Sequence, residues 1–319
     1  MKSHIQAPVL IVGYNRADLI LELINQVVAL NRSTYIWIDG AKSKNDFAAI
    51  ETQKVIREHV EAIQTLDINL HINPNNLGCG KSLPLAVDWV LSKHSRIIVL
   101  EDDIRFTSEF FNYMDWALEK FETNQEIFHI NGWTPLSGSD TEILRFYKSR
   151  QVFGWGWATW VNRWKKKDLQ LKSYAKEVPI RSLPTLLNYR LNTTFERHWK
   201  TKMERCLEGL DAWDYQWQFS IWLNGGKSIS PTSSFTFNIG FDDRATHTKT
   251  PPANLKRQLL KTVFNPQEIL EIEKGSQISK LEAEIDLISY QLESKYSILY
   301  YLRRFRRLFS TIPRLLDRS

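Results

Sequence analysis

The feature that most limits how this chain can fold is an alternation, sustained over its first 130 residues, of short apolar runs with longer amphipathic stretches. Apolar runs near 8–12, 34–39, 67–73, 96–101 and 126–130 read as strands. Between them, patterns near 17–30, 46–64, 82–94 and 107–122 repeat their apolar residues at helical spacing, and Asn75, Asn76 and Gly78 mark a turn before the third helix. Strands joined by crossover helices predict an α/β core with a mostly parallel central sheet flanked by helices. With 319 residues, 43% of them hydrophobic, the chain can bury one large core or two modest ones.

A parallel sheet places its ligands beyond the carboxyl ends of its strands, where loops gather and helix N-termini offer N–H groups. The polar residues worth attention fall there: Tyr14, Asn15 and Arg16 after the first strand, Asp39 and Gly40 after the second, Pro74 to Lys81 after the third, and Glu101-Asp102-Asp103 after the fourth. The apolar run Arg96 to Leu100 delivers that acidic triplet straight into the crevice. Three adjacent acids repel one another unless solvent or a cation offsets the charge, and Mn²⁺ or Mg²⁺ shared between carboxylates and substrate phosphates is a standard solution. A solvated turn or a helix cap is the plain alternative for such acids.

Other candidates need similar weighing. Leu77-Gly-Cys-Gly-Lys-Ser82 invites a phosphate-loop reading, but the Walker pattern requires glycine where Asn75 stands. Flexible backbone ahead of the helix could still approach a phosphate or sugar, with Lys81 as a point charge. Asp211 and Asp214 open a helical pattern near 213–223, preceded by another near 192–208, so they suit either a general base or a helix N-terminus. Twelve tryptophans exceed the needs of a core and offer stacking surfaces, or else a Trp-rich interior.

Charge narrows the partners. The net charge of +6 equals the excess carried by residues 295–319, where Lys295, Arg303, Arg304, Arg306, Arg307, Arg314 and Arg318 face Asp317 alone. The rest is formally neutral, which argues against a nucleic-acid footprint. Cys79 and Cys206 are too few for a disulfide framework and lack metal-ligand spacing, as expected for a reducing cytosol. No apolar segment of export or membrane-spanning length is evident, so a cytoplasmic location is expected.

Six segments occur in a telling order: Gly13-Tyr-Asn-Arg16, Trp37-Ile-Asp39, Val99-Leu-Glu-Asp-Asp103, Phe153-Gly-Trp-Gly-Trp157, Trp213-Asp214 and Thr246-His247. Together they resemble N-acetylglucosaminyltransferase I and its bacterial relatives, over roughly residues 7–250. The resemblance implies a GT-A fold and an inverting, metal-dependent transfer of a sugar from a nucleotide-diphosphate donor, a UDP-sugar, to a hydroxyl. It implies Asp103 as metal ligand, Glu101 and Asp102 on the donor, Asp39 at the uracil edge and Arg16 near the nucleotide. It also implies Asp214 as base and His247 close to the diphosphate or metal. Trp155, in the Gly/Trp segment, would lie under the donor sugar or form an acceptor platform. Trp213-Asp-Tyr-Gln-Trp217 only partly matches the family's run of two acids, which leaves Asp211 as an alternative base. A sugar nucleotidyltransferase or a catalytically silent carbohydrate-binding module are the competing readings.

The expected organisation is a catalytic domain over 1–250, with a nucleotide-sugar-binding half (1–130) and an acceptor-side half (131–250), a linker at 251–275 and a helical basic tail at 276–319. Ile278, Leu281, Ile285, Ile288, Leu292, Leu299 and Leu302 form a heptad seam suited to a homo-oligomer or a partner helix. Residues 296–319 mix aromatics, leucines and arginines, the composition of a helix on an anionic membrane surface. Acceptors on glycans or lipid-linked glycans are both open, with bacterial surface polysaccharide as the setting that the resemblance implies.

Overall fold

The computed structural model describes residues 6–63, 67–135, 144–187, 189, 191, 193–241, 244, 264–267, 269–272 and 282. The chain divides into two compact units, Met1–Glu273 and Lys274–Ser319. His247, the expected linker over 251–263, the heptad seam and the basic tail lie outside the described residues.

The predicted alternation is present. Strand β1 (Val9–Gly13) leads to α1 (Ala17–Val28), β2 (Thr34–Ile38) to α2 (Phe47–Ala62), β3 (Ile68–Ile72) to α3 (Cys79–Leu91), and β4 (Arg96–Glu101) to the short β5 (Ile104–Phe106) and α4 (Phe110–Lys120). Then come β6 (Ile127–Asn131), β7 (Arg145–Ser149), β8 (Trp157–Trp160), α5 (Val161–Trp164), α6 (Thr193–Leu207), α7 (Asp214–Leu223), β9 (Lys227–Pro231), β10 (Thr236–Asn238) and β11 (Leu270–Glu271). One sheet of nine strands runs β11-β7-β9-β6-β8-β4-β1-β2-β3, with β10 and β5 as a separate antiparallel ribbon. Strands β4, β1, β2 and β3 are parallel neighbours.

Alternate residues of the buried strands feed two cores. Val9, Ile11, Ile36, Ile38, Ile98 and Leu100 pack on one face with α1 and α4 residues such as Leu23, Ile24, Phe110 and Met114. Leu10, Tyr35, Trp37, Ile97 and Val99 pack on the other with Val87 and Val90 of α3 and Trp217 of α7. Strands covered on both faces are largely apolar, which is why they read as near-continuous runs rather than alternating ones. Each such side chain contributes roughly 1.5–3 kcal/mol of burial.

Two departures from parallel order matter for the site. Strand β8 lies antiparallel between β4 and β6, pairing Val99 with Trp157 and Ile130 with Ala158. Its leading segment, Phe153 to Gly156, therefore emerges at the same sheet edge as the carboxyl ends of β4 and β6. The β5–β10 ribbon, with Asn238 opposite Ile104, carries the chain back over the residues that follow β4.

The start of the sheet is fixed by a buried ion pair. Arg32 donates to Asp115 of α4 and to the Ala7 carbonyl, while Asp115 accepts the Ala7 N–H at 3.0 Å. Removing one partner leaves a buried charge unmatched, so Arg32→Met should cost about 3–5 kcal/mol in urea unfolding. Adding Asp115→Leu should recover part of that loss, the orphaned Ala7 N–H keeping recovery incomplete; equal stabilities for the single and double variants would exclude the ion pair as the cause.

Candidate active site

Strand β4 ends in the acidic triplet, and each of its acids meets a different environment. Arg16, in the N-cap position of α1, donates to Asp102 through Nε at 3.2 Å and through Nη2, and its Nη2 also reaches Asp103 at 3.1 Å. Burial works against the Arg16 charge, yet the two aspartates outweigh it and hold the guanidinium above its ordinary pKa. Buried Arg105 pins the turn from within, donating to the carbonyls of Asp102 and Ile104, each at 3.0 Å. From above, the Ile239 N–H bonds the Asp103 carbonyl at 2.9 Å. A Cβ on Gly240 would stand 2.2 Å from Asp103 Oδ2, so only glycine lets this strap lie so close.

Glu101 has no such cation. No described residue donates a hydrogen bond to its carboxylate, and burial raises its pKa well above the ordinary value, reinforced by Asp103, Asp102 and Asp214 against a smaller opposing pull from Arg16. Burial raises Asp102 as well. The strand end therefore holds more negative charge than Arg16 neutralises. Its donors are hard carboxylate oxygens, the type Mg²⁺ and Mn²⁺ prefer. Among the described residues no group of three His, Cys, Asp or Glu side chains converges to hold a metal unaided.

Asp39 is more deeply engaged than its expected position at a nucleobase suggests. At 5% exposure, it accepts from the Gly40, Leu77 and Gly78 N–H groups and from the Asn73 and Asn76 side-chain amides. It anchors the whole connection between β3 and α3. That connection packs so tightly on Gly40 that a Cβ there would meet the Asn75 carbonyl carbon at 2.0 Å.

The expectation of flexible backbone before the third helix needs correction. Helix α3 begins at Cys79, so Gly80 and Lys81 belong to its first turn. The N-terminus of this helix receives Asp211, whose carboxylate accepts from Cys79 N at 3.1 Å and Gly80 N at 2.7 Å. Lys81 is exposed on that turn.

Asp214 is the first residue of α7, close enough to Glu101 and Cys79 to raise the pKa of both. Lys202 of α6 donates to the neighbouring Tyr215 hydroxyl at 2.9 Å. Gly154 lies between the halves, its ideal Cβ position 3.2 Å from the Trp213 ring and 3.7 Å from Glu101 Oε1. Trp155 is partly buried against Trp133 and Phe241. The other tryptophans, Trp89 apart, are buried, so the excess of tryptophan is mostly core rather than stacking surface.

Arg16, Glu101, Asp102, Asp103 and Asp214 thus gather at one sheet edge, with Asp39, Lys81 and Asp211 beside them around the start of α3. Sequence reasoning missed a buried polar network behind them. Asn131 donates to the Gln151 carbonyl and to the hydroxyls of Ser228 and Ser230, and accepts the Phe153 N–H at 2.8 Å. His129 sits between the Trp217 indole N–H and the Phe153 carbonyl, at 3.3 Å from each, and burial lowers its pKa to about 3. Gln218 accepts the Val152 N–H at 2.8 Å. Single Asn, His and Gln residues inside apolar runs were the only sign of it.

No protein-family profile and no curated protein matches this chain. Solved structures with a similar arrangement include mannose-1-phosphate geranyltransferase from Thermus thermophilus, at 13% identity over 71% of this chain and 73% of that one, with a TM-score of 0.35. HddC from Yersinia pseudotuberculosis matches at 10% identity over 53% of this chain and 80% of its own, TM-score 0.27. A Bacillus anthracis protein assigned as a glucose-1-phosphate thymidylyltransferase, solved with sucrose, matches at 12% identity over 62% and 83%, TM-score 0.29. Likeness at this level concerns the α/β layout alone.

Folding raises the Glu101 pKa, so its favourable contribution is present below the ordinary carboxylate value and is lost as pH rises through the raised one. In metal-free buffer, Glu101→Gln should therefore raise Tm at pH 8 by a few degrees, as about 1 kcal/mol would do in a chain of this size. The gain should shrink toward pH 5. A gain of equal size at both pH values would mean that Glu101 is not the titrating group.

Proposed function

We propose that this chain is an inverting glycosyltransferase of the GT-A type, transferring a sugar from a nucleotide diphosphate, a UDP-sugar in first place, to a hydroxyl of a glycan or lipid-linked acceptor. The observation that carries this reading is the meeting, at the carboxyl end of β4, of an under-neutralised acidic triplet with the Asp214 carboxylate from the other half of the domain. A donor diphosphate and a divalent cation would each find partners there.

Asp103 is the oxygen donor that would hold Mn²⁺ or Mg²⁺, with His247 as a further candidate from the sequence, while Glu101 and Asp102 would face the donor. When bound, such a cation supplies charge neutralisation for the departing nucleoside diphosphate. The chain's own residues account for the rest. Arg16 keeps Asp102 and Asp103 aligned, while the strap through Ile239 and Gly240 holds the Asp103 backbone in place. Asp214 takes the acceptor hydroxyl proton as that oxygen attacks the anomeric carbon, and the bond to the diphosphate breaks with its electron pair. Inversion needs this one base. Asp39 acts here by shaping the 73–78 loop beside the nucleotide. Among the described residues no helix is long and apolar enough to cross a membrane, and attachment to an anionic membrane surface is proposed for residues 296–319 on their sequence alone.

A second reading, a sugar nucleotidyltransferase, shares a parallel sheet and acidic strand ends, and one structural neighbour carries a thymidylyltransferase assignment. The connection from β1 to α1 weighs against it. Only Tyr14, Asn15 and Arg16 link the two elements, and Arg16 is committed to carboxylates, which leaves no glycine-rich loop to wrap a triphosphate.

The test is a panel of UDP-, GDP- and CDP-sugars with Mn²⁺ or chelator, and in parallel nucleoside triphosphates with sugar 1-phosphates. One nucleotide-sugar should be hydrolysed only with metal, and Asp103→Ala should abolish that turnover. Asp214→Asn should retain donor binding while slowing transfer by about 10²–10⁴-fold. Pyrophosphate release from a triphosphate would transfer the assignment to the second reading; no binding of any nucleotide would favour a silent carbohydrate-binding module.

A further inference from the structure

Four consecutive backbone N–H groups, those of Leu77, Gly78, Cys79 and Gly80, turn toward carboxylates of this same chain. Asp39 takes the first two, at 3.0–3.2 Å, from the carboxyl end of β2. Asp211 takes the second two, Cys79 N on Oδ2 at 3.1 Å and Gly80 N on Oδ1 at 2.7 Å, from the segment that leads into α7. The Cys79 thiol adds a bond to the Asp211 carbonyl at 3.1 Å.

The glycines are what admit this arrangement. Gly78 has φ of 76°, and a Cβ there would lie 2.6 Å from Asp211 Oδ2. A Cβ on Gly80 would lie 2.9 Å from Asp211 Oδ1 and 2.8 Å from the Ala212 carbonyl oxygen. The glycine-containing run that imitates a phosphate loop thus fits a carboxylate supplied from within the chain.

From Asp211 the path to the acidic strand end is short. Ala212 N bonds the Leu210 carbonyl at 2.9 Å in a tight turn. Trp213 then stacks on Trp157 with ring centroids 5.1 Å apart, and Asp214 opens α7 beside Glu101. Two of the contacts that hold this turn are thus a helix N-terminus and an indole stack.

We propose that Asp211 is a positioning residue. By filling the start of α3 with its carboxylate, it fixes the segment that presents Asp214 to the carboxyl end of β4, and so joins the donor-side loop to the acceptor-side helix. This rests on the reading of Asp214 as the base. It also gives Asp211, the alternative base from the sequence, a different role, because both its oxygens accept backbone N–H groups.

The test uses the 319-residue chain and two variants, Asp211→Ala and Asp211→Asn, read first by amide hydrogen exchange without substrates. In Asp211→Ala, exchange at Cys79 and Gly80 should rise about tenfold or more, while Leu77 and Gly78, held by Asp39, change far less. Sodium formate at about 100 mM should restore the protection by mass action, where sodium chloride of equal ionic strength does not. In transfer assays kcat should fall about 100-fold with donor KM unchanged, the scale expected for a base displaced by about an ångström. Asp211→Asn, which keeps an acceptor oxygen, should fall between Asp211→Ala and the native protein, well above Asp214→Asn.

Unchanged exchange in Asp211→Ala would overturn the proposal, as would native kcat in that variant. A loss in Asp211→Asn as deep as in Asp214→Asn would also overturn it, by making Asp211 the base. Should the native protein show no transfer to any acceptor, the exchange and formate results would still decide whether Asp211 tethers α3, and only the assignment of Asp214 would fall.

Discussion

The structure depends on how a hydrophobic strand can end in three acids. Leu100 is fully buried and Glu101 follows it directly, so the carboxylates begin where water is scarce and charge is costly. One partly buried arginine shared by Asp102 and Asp103 is less than the triplet requires, and burial, reinforced by the neighbouring carboxylates, raises the pKa of Glu101. A fold selected for stability alone would not keep a second acidic element nearby. Here α7 opens with Asp214 beside the same group. Unmatched charge at a loop-rich sheet edge is the physical reason for reading this place as a site rather than a surface turn.

The surrounding residues resist that repulsion by rigidity rather than by neutralisation. Arg105 pins the turn carbonyls, the Ile239–Gly240 strap covers Asp103, and the Asn131 and His129 network fixes the segment that leads into β8. His129 can do so only as the neutral ring, accepting from the Trp217 indole and donating to the Phe153 carbonyl, and burial keeps it neutral. Each contact restrains backbone, and the one cation among them, Arg105, is paired with Glu22. Charge at the strand end exceeds what Arg16 supplies.

The strands and helices of the first half were legible because strands buried on both faces leave no room for polar residues, and because their crossover helices need amphipathic spacing. The acidic triplet was legible for the same reason, as a polar break after Leu100. The start of α3 was not. Nothing local to Leu77–Ser82 shows that its N–H groups are taken by Asp39 and Asp211, since hydrogen-bond partners 38 and 132 residues distant leave no mark on spacing. Asp39 could equally have been a plain Asp-Gly turn. Gly240 and Arg105 were passed over because a glycine's purpose lies in what would collide with it, and a buried arginine looks like any other in a sequence. The tryptophans misled differently: their number suggested ligand surfaces, whereas packing between β8, α5 and α7 consumes most of them.

The insertion of β8 ties these observations together. Were β4 and β6 adjacent, the residues after each would face one another across an ordinary parallel crevice. With β8 running antiparallel between them, its leading segment Phe153 to Gly156 is brought to that edge from the opposite direction. Gly154 then sits between Glu101 and Trp213, and Gly156, with φ of 75°, turns the chain into β8 against Thr236 of the strap ribbon. The same segment is bonded through Val152 and Phe153 to Gln218 of α7 and Asn131 of β6. A shift in any of the three elements would be felt by the others through these backbone-to-side-chain hydrogen bonds, and α7 carries Asp214. The two halves of the domain are thus coupled at the point where, in the proposed reaction, a sugar donor and its acceptor meet.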